Sequence, residues 1–189
     1  MGADMYLATS FLLCNEMKES FASPINCLNN DQQIDKKCGF TSSNPDYEML
    51  MPVIFNLKHG IELFLKAFLM KTNLKQEYPT SHDLLILLNF LISNIINNKP
   101  KEKKVIEILN KDIREIIEKY YYGLYAFSKY KINPDTNNEA ERYPEYRNCN
   151  CYKIDNLFDL NYNELLEMIK KDIQYIQKFF REEIYKKVC

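Results

Sequence analysis

Residues 45–72 read PDYEMLMPVIFNLKHGIELFLKAFLMKT, and most of the architecture can be argued from them. Asn44 is a good helix cap, and Pro45 suits the first helical position, where a missing N–H costs nothing. Asp46 and Glu48 then face the positive end of the helix dipole. Placed at about 100° per residue, the apolar side chains encircle this helix, which predicts the central, buried element. Yet His59, Glu62 and Lys66, spaced three and four apart, fall on one narrow stripe of it. Ionisable groups on a buried helix are costly unless they pair or meet polar partners. Two readings follow: a Glu62–Lys66 pair reaching solvent beside a core histidine, or a polar seam facing another polar element.

Four more helices are read on either side, and no convincing strand. About Asp4 to Phe21, the residues Leu7, Phe11, Cys14, Met17 and Phe21 recur at helical spacing. A third helix is expected from Thr80-Ser81, with Asp83 completing a capping box. The fourth, about Lys101 to Tyr130, carries Ile106, Leu109, Ile113, Ile116, Tyr120, Leu124 and Phe127 and ends before Pro134. Asn161 and Glu164 open a fifth, with Leu165, Ile169, Ile173, Ile176, Phe180 and Ile184 on one face. The expectation is an all-α, up-and-down bundle of about five helices forming one domain over residues 1–189. Long loops near 22–44 and 132–160 are places where function can sit on a rigid frame.

Composition agrees. The 189 residues include only 4 Gly, which disfavours turn-rich β folds and glycine-fingerprint nucleotide folds. A formal charge of −1 excludes a globally basic nucleic-acid coat, though not a local groove. No apolar run reaches the roughly 20 residues of a membrane span, because Lys58, His59, Glu62 and Lys66 interrupt the longest. The opening residues carry Asp4 and no Lys or Arg, unlike a secretory signal. Six Cys in a chain able to bury its own core fit reduced thiols, hence a cytoplasmic protein.

Only two histidines are present, His59 and His82, so any histidine acid–base chemistry must use them. His82, in Ser81-His82-Asp83, is expected in the first turn of the third helix. There the dipole favours a neutral imidazole, either a proton acceptor or a local capping group. Arg142 and Arg147 flank Tyr143 in one loop, and Arg offers a planar fork for carboxylate or phosphate. Eight of the fourteen Tyr lie between Tyr120 and Tyr152, and Tyr with Arg can stack bases and clamp phosphates. Tyr at helical spacing is more often core with a polar tip. Cys27, Cys38, Cys149 and Cys151 could supply four thiolates, but the single residue between Cys149 and Cys151 is shorter than zinc spacings usually are. No cofactor and no metal are expected. Neither a Walker A loop, nor a GxSxG elbow, nor an HExxH motif occurs.

The series Asn56-Leu57-Lys58-His59-Gly60-Ile61-Glu62-Leu63-Phe64-Leu65-Lys66-Ala67, then Ser81-His82-Asp83-Leu84, then Arg142-Tyr143-Pro144, resembles the HEPN superfamily. The resemblance spans roughly residues 5–185. It implies an up-and-down bundle that pairs into a homodimer, with relatives in toxin–antitoxin, abortive-infection or CRISPR-linked systems. Active relatives are metal-independent RNases with Arg, four to six residues, then His at the dimer cleft; others are paired with a small nucleotidyltransferase. This chain departs from the RNase motif, since no histidine follows Arg114, Arg142, Arg147 or Arg181. A rearranged site would need His82 and Arg142 to meet through the fold. The reading is therefore a binding or regulatory module linked to RNA or a nucleotide. The alternatives are an RNase toxin with a non-standard site and a purely structural interaction domain. The expected site comprises His59, Glu62, Lys66, His82, Asp83, Arg142, Tyr143 and Arg147.

Overall fold

A computed structural model of the chain describes residues 2–20, 45–72, 79–99, 101–123 and 162–185. Helix α1 is Gly2–Ser20, α2 is Pro45–Thr72 and α3 is Leu84–Asn98. Helix α4 is one rod with changing pitch: α over Lys103–Ile108, π over Leu109–Ile113, α over Arg114–Glu118 and π over Lys119–Gly123. Helix α5 is Tyr162–Tyr185. No strand occurs among the described residues. None of these helices is long and apolar enough to cross a membrane.

The encircling apolar pattern of α2 has the consequence expected of it. Helix α2 packs against α1, α3 and α5, while α1 also touches α5 and α3 lies along α4. Val53, Ile54, Leu57, Ile61, Leu65 and Leu69 of α2 are buried with Leu7 and Met17 of α1, Leu87, Leu88 and Leu91 of α3, and Ile169, Ile173 and Ile176 of α5. Phe180 of α5 stacks on Phe64 at 5.2 Å between centroids and meets Phe68 edge-on at 6.1 Å, joining α5 to α2. Ser10 is buried on α1, and its hydroxyl donates to the Val53 carbonyl at 2.9 Å, so the polar atom is satisfied.

Two boundaries differ from the expectation. Helix α3 begins at Leu84 rather than near Thr80, because Asp83 is itself the cap: its carboxylate accepts from the N–H groups of Leu85 and Ile86. Those two donors have no carbonyl partner inside the helix, so the side chain that reaches them fixes the start. The fourth helix is not a uniform α-helix. A π turn carries an extra residue, which lets neighbouring pairs share the buried side, and Tyr120 and Tyr121 are both buried in the second of them. Phe21, Asn44, Leu124 and Phe127 lie outside the described residues.

Helices α1 and α2 cross closely at Gly60. A Cβ there would stand 2.6 Å from Leu7 Cδ2 and 2.7 Å from Leu7 Cγ, and Leu7 is completely buried. Gly60→Ala gains up to about 1 kcal/mol of helix propensity but overpacks the crossing by about 1–3 kcal/mol. The expected net result is a loss of stability, read as a lower urea midpoint with unchanged slope. A higher midpoint would mean that the crossing yields easily.

Candidate functional site

Glu62 projects from the middle of α2, and its side chain is only 3% exposed. One turn on, the Lys66 ammonium donates to Glu62 Oε1 at 2.6 Å. From outside the helix, His82 Nδ1 lies 3.0 Å from the same oxygen. His59, one turn back, places Nδ1 3.6 Å from Glu62 Oε2, an ion-pair distance rather than a hydrogen bond. The His59 ring is held by aromatic neighbours, with Tyr6 of α1 edge-on at 4.4 Å and Phe55 stacked at 5.7 Å. Both sequence readings are thus partly realised: the Glu62–Lys66 pair exists, and it also faces a polar group from another segment.

The arrangement is layered by charge. The carboxylate lies at the bottom, whereas Lys66, His59 and His82 are 29%, 23% and 61% exposed at the rim. A carboxylate oxygen accepts, so in this contact Nδ1 is the donor, and Nε2 is the ring nitrogen left for another partner on a ring that is mostly exposed. A base oriented from behind by a carboxylate is the arrangement that acid–base catalysis and polar ligand binding both use.

His82 sits just before the cap of α3 and not in its first turn. The local turn is tightly held. Ser81 Oγ accepts from the Asp83 N–H at 2.9 Å, and Asp83 Oδ1 accepts from Leu85 at 2.8 Å and Ile86 at 3.2 Å. The N–H of Leu84 donates to the Tyr121 hydroxyl at 2.9 Å. With these donors already partnered, the start of α3 offers no free anion hole of the kind helix N-termini otherwise supply. Asp83 therefore borders the seam while its carboxylate serves the helix end.

One further residue belongs here that the sequence reading did not single out as a site residue. Lys58, on the Glu62–Lys66 stripe one turn earlier, is completely buried, with its ammonium 5.2 Å from the centre of the Tyr121 ring. The spacing 58, 62, 66 was the available signal. Elsewhere, Asp172 of α5 accepts from both Lys119 and Tyr120, each at 2.8 Å, fastening α5 to the second π turn. Burial, then the charge and hydrogen bond of Asp172, push the Tyr120 hydroxyl well above its ordinary pKa. Burial likewise raises Cys14 to about 12, with Lys170 lowering it and Glu167 raising it by smaller amounts.

Arg142, Tyr143 and Arg147, and the four loop cysteines Cys27, Cys38, Cys149 and Cys151, lie outside the described residues. Among the described residues no group of three or more His, Cys, Asp or Glu could hold a metal ion.

Fold and site together define an all-α module with a charged seam on its central helix. The family model for the HEPN domain matches residues 46–146, just over half of the chain, and the chain belongs to that family. The match begins within α2, takes in the whole Glu62 seam and reaches past Arg142 and Tyr143 to one residue short of Arg147. A search of curated proteins gave no match, and neither did one of solved structures.

Proposed function

We propose that this HEPN-type module binds RNA or a nucleotide at the Glu62 seam, as a regulatory component of a bacterial toxin–antitoxin or phage-defence system. The observation that supports the reading is the layering: a buried carboxylate holds Lys66 and His82 at the surface, so a phosphate meets cationic and hydrogen-bonding groups first. Arg142, Tyr143 and Arg147 would complete the site with a phosphate fork and a stacking ring. A homodimer and a small nucleotidyltransferase partner rest on the family resemblance alone.

Binding of a labelled single-stranded RNA and of a labelled nucleotide to the purified protein tests this. Lys66→Ala and His82→Ala are each expected to weaken binding roughly tenfold, about 1.4 kcal/mol for a lost charge-assisted contact. Affinity should also fall with added salt. Wild-type protein that binds neither ligand at low salt would end the reading.

A second reading draws on the Glu62–His82 contact. Metal-independent RNA cleavage needs a base at the 2′-hydroxyl and a cation on the phosphate, and His82 Nε2 with Lys66 or Arg142 could fill those roles. In that case the wild type cuts RNA in the presence of a chelator, and His82→Ala abolishes cutting while the melting temperature hardly moves. Absence of cleavage by wild-type protein leaves the binding module as the surviving reading.

A further inference from the structure

Helix α4 contributes a residue that reaches the Glu62 seam through the start of α3. The Tyr121 hydroxyl accepts the Leu84 N–H at 2.9 Å, and Leu84 is two residues from His82. The Tyr121 ring in turn lies 5.2 Å from the ammonium of Lys58, and Lys58 is one helical turn from Glu62. These contacts close a circuit: α2 at Lys58, α4 at Tyr121, the α3 start at Leu84, the turn at His82, and α2 again at Glu62. Both Lys58 and Tyr121 are completely buried, so the circuit is anchored in the core although His82 itself is exposed.

We propose that Tyr121, backed by Lys58, is the positioning residue of the Glu62–His82 pair. The physical argument concerns which bonds hold the turn. Asp83 and Ser81 tie the turn to itself and to the first turn of α3, but neither ties it to α2 or α4. Leu84 is buried in the core, and the Tyr121 hydroxyl adds the directional bond that fixes how the backbone at the α3 start is set against it. An exposed histidine left on an untethered turn would sample many orientations, and only a few place Nδ1 within hydrogen-bond reach of a buried carboxylate. The second π turn matters for the same reason. It buries Tyr120 and Tyr121 together, so one hydroxyl reaches Asp172 on α5 while its neighbour reaches α3.

The inference rests on the proposed role of the seam, but its test does not need RNA or a nucleotide. Imidazole nitrogen NMR of the full chain, in the uncharged state of the rings, reports which nitrogen carries the proton. Wild-type His82 is expected as the Nδ1–H tautomer. Tyr121→Phe keeps the ring over Lys58 and removes only the hydroxyl. His82 should then become a mixture of tautomers, whereas His59, held by Tyr6 and Phe55, keeps its signals. Glu62→Gln should perturb both histidines and so calibrates the assignment. If Tyr121→Phe does not fold, Lys58→Met, a swap of similar length, carries the same test with the same expected direction. A folded variant whose His82 signals match the wild type overturns the proposal. Failure of RNA and nucleotide to bind, with the tautomer change present, would overturn the seam's proposed role and leave Tyr121 as the positioning residue.

Discussion

Replacing both Lys66 and His82 by alanine is expected to cost about 3–5 kcal/mol of folding stability, more than the two single changes added together. The reason lies in what each change leaves behind. Glu62 is 3% exposed, so its carboxylate depends on protein groups for the hydrogen bonds that water would otherwise supply. With Lys66 gone, Oε1 still has His82; with His82 gone, it still has Lys66. Each single change should therefore cost only about 1–2 kcal/mol, the more so because both partners are partly solvated. With both gone, Oε1 has lost its donors at 2.6 and 3.0 Å, while His59 stands 3.6 Å from the other oxygen. The buried charge has then lost both of those charge-assisted hydrogen bonds at once, which is the expensive case. A double-mutant cycle by urea unfolding measures the excess, and additivity within about 0.5 kcal/mol would show that Glu62 finds water after all.

Glu62→Met makes the complementary case. It removes the buried charge and fills its space, leaving Lys66 and His82 free to turn to solvent. Removing one member of a buried pair is costly when the other is stranded. Lys66 and His82, however, are 29% and 61% exposed and keep their hydration, so a change within about 1 kcal/mol is expected. If stability survives Glu62→Met while ligand binding is lost, the carboxylate is there to orient its partners and not to hold the fold. That outcome would place the seam on the functional side of the ledger for reasons independent of the family assignment.

How much of this was legible in the sequence depends on the range of the interaction. Helix α2 and its charged stripe were legible because both are local patterns: apolar residues encircling the helix, and ionisable ones at three- and four-residue spacing. His82 was legible as a partner by elimination, since a buried carboxylate needs donors and few were on offer. The start of α3 was not, because Thr80 and Asp83 are both good caps. The choice was made in three dimensions, by Asp83 reaching two backbone donors and Tyr121 a third. The π turns were invisible for another reason. Spacings of three and four describe an α-helix, and one extra residue per π turn hides within that tolerance. Lys58 reads as one more interruption of an apolar run, and Asp172 lies outside the apolar stripe by which α5 is recognised. Only the fold showed which of the charges had been taken inside.

Alkaline pH is the second condition under which a large effect is expected. The Cys14 thiol is fully buried on α1, and burial raises it to about 12 from an ordinary value of 9.0. In the unfolded chain the thiol gives up its proton near 9; in the folded chain it keeps it until about 12. Between those values the unfolded state binds fewer protons, so stability must fall as pH rises. Below 9.0 the contribution is fully present, and it is lost progressively as pH climbs toward 12. At about 1.4 kcal/mol per unit, the loss from Cys14 alone is of order 4 kcal/mol. Tyr120, raised by burial and by Asp172, adds in the same direction. The check is urea unfolding across this range, in reducing buffer so that the thiols stay free. Cys14→Ala should be less stable than wild type at neutral pH, because it leaves a small cavity. Its stability should also decline less steeply above pH 9, so that the two curves converge. Curves that instead fall in parallel would show that the buried thiol is not what alkali attacks, and would turn attention to Tyr120, for which Tyr120→Phe poses the same question.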